Sequence, residues 1–319
     1  MHEWDCASII QGMTHTYSAR GLVWIDLQSP TEEEIMSLVQ RYELHPLVGE
    51  ELKDFNSHTK IDFHKDNMVT VLKVPERIKK DGRYVTVDGE IDFVVGKNFL
   101  ITAHGDSIEQ LEYFGKIFET NSILNKDSRI DSTSHLFYYM VMRLYGGICD
   151  DLRNIRDSLL AAESKVFTGN ERKMVEVLSH LSRELVDFRE IARTHRDVWE
   201  ELIANHDKQF LSTDFLPYIH DIRDEFNRIH DLIVNSHELL SDLRETNDSL
   251  LNTKQNDIIR TLTIVNFIFI PATFIAALFT IPATYVPLVE SDIGWTIILG
   301  GMVVITISIW LVIKKKGWL

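Results

Sequence analysis

From Glu171 to Ile293 the chain contains no glycine, and between Glu171 and Thr280 only two prolines, Pro217 and Pro271, interrupt it. These two residue types are the strongest helix breakers, so a stretch this long without them is constrained toward long helices. A helix opening near Thr213 or Asp214 meets no stop before Phe279. About 65 residues at about 1.5 Å each make a rod on the order of 100 Å long.

The far end of the rod is apolar. Ile258 to Phe279 holds one charge, Arg260, and Ile293 to Ile313 holds none. About 20 apolar residues suffice to cross a hydrocarbon core. Lys314, Lys315 and Lys316 follow the second segment, and Lys254 and Arg260 flank the first; the link from Thr280 to Asp292 carries Glu290 and Asp292 but no Lys or Arg. The positive-inside bias then puts the large N-terminal part and the C-terminus in the cytoplasm and the link outside. The alternative, two core helices of a soluble protein, has the lengths and flanking charges against it.

The formal net charge of −15 sits almost wholly before the first span. That argues against nucleic acid as a partner; it suits a protein that concentrates cations, or one that is simply soluble. Cys6 and Cys149 are too few for a disulfide framework. Met1-His2-Glu3-Trp4-Asp5 has no basic or apolar leader character, so the spans themselves direct insertion.

Before the rod the chain divides in two. Gly21 to Leu27 reads as a strand, and Ser29-Pro30-Thr31 followed by Glu32, Glu33 and Glu34 opens a helix through about Tyr42. A short helix follows His45-Pro46. Met68 to Val74 is a strand, Glu90 to Val95 and Phe99 to His104 form a hairpin through Gly96-Lys97-Asn98, and Ile108 to Phe118 is a closing helix. After Asp131 the signal is wholly helical. Ser134 to Val166 and Arg172 to about Asn205 are separated by Thr168-Gly169-Asn170, with an apolar stripe through Val175, Leu178, Leu181, Leu185 and Phe188. The expected fold is α+β: residues 1–130 a cytoplasmic α/β domain, 131–257 a helical bundle with a stalk helix, and 258–319 a two-helix transmembrane domain. There is no phosphate loop, nucleophile elbow or hydrolase pair, so an enzyme is not expected.

Steps of seven along the rod give Asp224, Asp231, Glu238, Glu245 and Asn252, and a companion series gives Asn235, Asp242, Ser249 and Asn256. Both lie on one face of a helix with a period near 3.5. This acidic face is either a solvated exterior or, with several rods around an axis, a stack of carboxylate rings. Inside the apolar segment the face continues through Asn256, Ile259, Leu262, Asn266, Ile270, Thr273 and Ala277. Polar groups there are unfavourable unless they meet water or a partner, and alternating polar and bulky positions suit a cation pore with hydrophobic constrictions. His230 with His237, and His2 with Cys6, are pairs without a closed ligand set; solvated or capping histidines are the simpler reading.

Leu262-Thr263-Ile264, Phe269-Ile270-Pro271-Ala272-Thr273-Phe274-Ile275-Ala276 and the basic end Lys314-Lys315-Lys316-Gly317-Trp318-Leu319 resemble the CorA superfamily of divalent-cation transport proteins, including its ZntB branch. His45-Pro46-Leu47-Val48-Gly49-Glu50-Glu51 and Leu216-Pro217-Tyr218-Ile219-His220-Asp221 are similar to two further segments of that family, in the same order. The resemblance implies a funnel-shaped homopentamer in membrane lipid, with divalent cations as its other partners. It implies Mg²⁺, or a related ion such as Co²⁺, Ni²⁺ or Zn²⁺, as substrate and as cytosolic regulator, with no organic cofactor. It also assigns Asn256, Leu262, Ile270, Thr273 and Ala277 to the pore, and Glu51 and Asp221 to a regulatory metal site between subunits. One departure stands out: where the family has Gly-Met-Asn at the outer mouth, this chain has Thr280-Ile281-Pro282. The Thr280 hydroxyl, exposed carbonyls, or Glu290 and Asp292 are the available substitutes. A non-conducting pentameric scaffold or cation sensor with a lost filter is therefore the alternative to a transporter.

Overall fold

The computed structural model describes residues 13–316 apart from 20, 56, 81–82, 106–107, 109–110, 112–113, 116–129, 279 and 281–292. Six strands, β1 (Met13–Ala19), β2 (Leu22–Gln28), β3 (Lys60–Phe63), β4 (Asn67–Lys80), β5 (Arg83–Gly96) and β6 (Phe99–His104), form one sheet in the order β1-β2-β6-β5-β4-β3. β2 and β6 run parallel; every other neighbouring pair is antiparallel.

Side chains alternate across a strand, so the sheet feeds two cores. Ile25, Leu27, Val69, Val94 and Ile101 pack against α1 (Glu32–Arg41) and α2 (Pro46–Glu51). Trp24, Met68, Ile91, Phe93 and Val95 pack against α3 (Thr133–Val166) and α4 (Glu171–Ala204). α1 starts where its local chemistry demands: the Thr31 side chain accepts from the Glu34 amide, and Glu34 reaches back to the Thr31 amide.

The second core continues along α3, α4 and the rod, α5 (Leu216–Leu278), as far as Leu243. Sheet and bundle therefore share one apolar interior. The stripe on α4 runs through Met174, Leu178, Leu181, Leu185 and Phe188, whereas Val175 faces outward and is 48% exposed. At helical spacing, only one residue of the Met174-Val175 pair fits the buried stripe, and it is Met174 that does.

A buried polar chain fastens α3 and α4 to β4. Trp199 Nε1 donates to Tyr145 Oη at 2.7 Å, the Tyr145 hydroxyl donates to His195 Nδ1 at 2.9 Å, and His195 Nε2 donates to the Lys73 carbonyl at 2.7 Å. Every group is satisfied only with a neutral imidazole. Burial, opposed by the Lys73 bond, pushes His195 down to about 4.

Two strands differ from expectation by extension. β4 and β5 pair from Asn67–Gly96 to Lys80–Arg83, well past the expected ends at Val74 and Glu90. Beyond the reach of β3 and β6 this ribbon leaves the sheet and lies along α4. There the buried Arg77 and Glu184 pair at 2.8 Å, and His180 contacts Glu184 from the helix side. The expected closing helix from Ile108 to Phe118 falls largely outside the described residues.

Candidate functional site

α5 has two faces of opposite character. Ile219, Ile222, Phe226, Ile229, Ile233 and Leu240 are buried in the bundle. On the other side Asp224, Asp231, Asn235, Glu238, Asp242, Glu245, Ser249, Asn252 and Asn256 are all exposed. Glu238, Asp242 and Glu245 form no ion pair among the described residues. A polar groove runs down this side, lined by Glu245, Asp248, Ser249, Asn252 and Asn256 among others.

The same face enters the apolar half without a break. Ile259, Leu262, Asn266, Ile270, Thr273 and Ala277 are all exposed, and at about 100° per residue they lie with Asn256 inside an arc of about 120°. Ile264, on the far side of the helix, is buried, as is Ile313 of α6 (Gly294–Lys315), which packs alongside. Both helices are long and apolar enough to cross a membrane, and their apolar windows are almost wholly exposed. α5 continues helically through Pro271, which has no amide proton to give the Phe267 carbonyl.

Hydroxyls on this stripe are oriented by the helix itself. Thr273 Oγ1 donates to the carbonyls of Phe269 at 3.0 Å and Ile270 at 2.9 Å, and Thr280 Oγ1 donates to Ala277 at 2.7 Å. A hydroxyl whose proton is committed to its own backbone presents lone pairs outward. Such oxygens suit a cation or the hydrogens of its hydration shell, and are poor partners for an anion. Ile281, Pro282, Glu290 and Asp292, the remaining mouth residues, lie outside the described residues.

Glu51 and Asp221 each have a partner within the chain. Glu51, at the end of α2, is paired with the Lys60 ammonium, which also contacts Asp62 at 3.1 Å. Asp221 accepts from the Tyr138 hydroxyl. Burial, then the Asp221 carboxylate, push the Tyr138 phenol above its ordinary value. Among the described residues no three His, Cys, Asp or Glu side chains converge to hold a metal.

A pair of acids that sequence reasoning missed lies on the α1–α2 side of the sheet. Asp92 is fully buried and neither carboxylate oxygen has a hydrogen-bond partner. Burial, reinforced by Glu90 and Glu51 and opposed by Lys60, pushes it up to about 8. Glu90 is also raised, mainly by burial, and is held by the Ser57 amide. Asp92 alternates in sequence with Ile91 and Phe93, and only the second layer of helices reveals that its own face is covered too.

A family model described as CorA-like Mg2+ transporter protein matches residues 19–315. The cobalt/magnesium transport protein CorA of Thermotoga maritima is 24% identical over 302 residues, covering 93% of this chain and 83% of that relative. Among solved structures, the complete CorA magnesium transporter of Methanocaldococcus jannaschii superposes with a TM-score of 0.81 at 22% identity, covering 96% of this chain and 94% of that one. The full-length CmaX protein superposes with a TM-score of 0.71 at 16% identity, covering 92% and 88%. At such identities the structural likeness speaks to the fold, and it includes the α/β domain, the long helix and two apolar C-terminal helices. With the family model spanning nearly its whole length, the chain belongs to the CorA-like Mg2+ transporter protein family.

Proposed function

We propose that the chain is a divalent-cation channel or transporter that works as a homopentamer in the inner membrane, with both termini cytoplasmic and α5 lining the path. The observation that carries this reading is the acidic face from Asp231 to Glu245, exposed opposite a face that its own chain buries as far as Asn247, and continued by helical period through Asn256 to Thr273 where the helix is exposed nearly all round. Five such stripes around an axis give carboxylate rings at Asp231, Glu238, Asp242 and Glu245, an amide ring at Asn256, and apolar collars at Leu262 and Ile270. Rings of acids select cations and apolar collars close by dewetting. Mg²⁺ is the first candidate ion, with Co²⁺, Ni²⁺ and Zn²⁺ as the related ones.

The test is divalent flux into sealed liposomes holding the purified protein at a fixed membrane potential. Uptake of any of the four ions supports transport, and their order reads the selectivity of the mouth. Within that assay Asn256→Leu is expected to cut flux about tenfold with the oligomer intact on size-exclusion chromatography. Unchanged flux would refute a place for Asn256 on the path.

Regulation by cytosolic cation through Glu51 and Asp221 belongs to the same proposal. In this reading the two carboxylates come from neighbouring copies, and a divalent ion at Glu51 competes with Lys60.

A second reading, a non-conducting pentameric scaffold or cation sensor, is favoured by Thr280-Ile281-Pro282. Pro282 has no side-chain amide to recognise a hydrated ion, and Mg²⁺ keeps most of its water. Thr280→Gly, Ile281→Met and Pro282→Asn together are expected to raise Mg²⁺ selectivity over Co²⁺ and Ni²⁺ severalfold. A mouth built on other groups would show no gain.

A further inference from the structure

The turn joining α3 to α4, Val166 to Asn170, carries residues that a conduction path does not use. Phe167 is 66% exposed. Among the described Phe and Trp side chains it is the one exposed outside the apolar half of α5 and α6. Lys165, Arg172 and Lys173 surround it, all exposed, and none forms an ion pair among the described residues. Glu163 and Glu176 flank the turn and Lys254 offsets Glu171, so it is the tip itself, residues 165–173, that is basic and carries an aromatic side chain in a chain of net charge −15.

Its height on the molecule is fixed by α5. Lys254 Nζ bonds Glu171 Oε2 at 2.6 Å and lies 4.0 Å from where a Cβ on Gly169 would stand. Gly169 has φ +87°, the left-handed conformation that lets the chain reverse here. Ile258, 69% exposed, opens the apolar surface one turn after Lys254, and Arg260 is about 9 Å beyond Lys254 along the axis. The turn therefore stands level with the headgroup layer bordering the span. An exposed aromatic ringed by Lys and Arg is the composition of an interfacial anchor.

We propose that this turn docks on anionic phospholipid headgroups of the membrane the chain itself crosses, Phe167 inserting while Lys165, Arg172 and Lys173 meet the phosphates. The proposal rests on reading α5 and α6 as membrane spans.

The test uses the full chain with Cys6→Ser, in nanodiscs of phosphatidylcholine with or without phosphatidylglycerol. Nitroxides are attached at Thr168→Cys, at Ser179→Cys farther along α4, and at Phe274→Cys in the span. In anionic discs the ratio of oxygen to nickel-chelate collisions at position 168 is expected to exceed that at 179 at least threefold. It should fall to the 179 value without phosphatidylglycerol, or when Lys165, Arg172 and Lys173 are all changed to Gln. Equal ratios at 168 and 179 in anionic discs overturn the proposal. Shielding from nickel with no gain in oxygen also overturns it, since that marks cover by a protein chain. A Phe274→Cys label without oxygen enrichment removes the membrane reading, and this proposal with it.

Discussion

Changing Glu238→Gln, Asp242→Asn and Glu245→Gln together is expected to lower divalent-cation flux at low ionic strength by about tenfold or more. The three side chains are exposed on the uncovered face of α5 and form no ion pair among the described residues, so removing their charge leaves packing untouched. In a pentamer each position becomes five charges around a narrow axis, and such a field raises the local cation concentration by about 10- to 1,000-fold. The effect should shrink near 1 M salt, where the Debye length is about 3 Å. Flux of the triple variant equal to the parent at low salt, with the oligomer intact, would show that the acidic face is a solvated exterior.

Asp92→Asn is expected to raise the thermal midpoint of the full chain at pH 8 and to leave it nearly unchanged at pH 3 to 4. Asp92 is held at about 8 by burial, with Glu90 and Glu51 adding to it, while an unfolded aspartate titrates near 4. Between those values the folded state binds more protons than the unfolded one, so stability is full below about pH 4 and is lost as pH rises through about 8. The span of about 4 pH units corresponds to several kcal/mol at its upper end. Asparagine removes the titration at almost the same volume. His195 works with the opposite sign: its pKa, lowered to about 4, makes stability rise with pH between about 4 and 6.5. Melting curves across pH 4 to 9 for parent and variant separate the two. Parallel curves would mean that Asp92 titrates normally and is not sealed in the sheet.

Elements whose signal is local are legible in the amino-acid sequence. The capping box at Thr31, Pro46 after the His45 cap, the Thr168-Gly169-Asn170 break and the uninterrupted α5 are each specified by neighbours within one or two turns. Strands recruited by partners are not. β1 is the polar run Thr14-His15-Thr16 with Ser18, and it is a strand because β2 offers it an open edge, where Tyr17 stacks on Trp24 at 4.5 Å. The outer parts of β4 and β5 hold Pro75, Lys79 and Lys80 and resemble loop; their pairing is supported by Arg77 reaching Glu184 on a helix 107 residues away.

The candidate site divides the same way. The acidic and polar series on α5 follow from helical period alone, because one rigid helix converts spacing into a face. Along the bundle the free face was decided by α3 and α4, which cover Ile219 and Phe226 and leave Asp231 exposed, whereas beyond Asn247 only Ile264 is buried and Asn256 and Thr273 follow from the helical period. The isolation of Asp92, the Lys60 partner of Glu51 and the exposure of Phe167 beside Lys254 also arise only from tertiary packing. Sequence thus determined the elements and their periodicity, which are local properties of the backbone. Burial and the pairing of charges depend on residues distant in the chain, and only the assembled layers decided them.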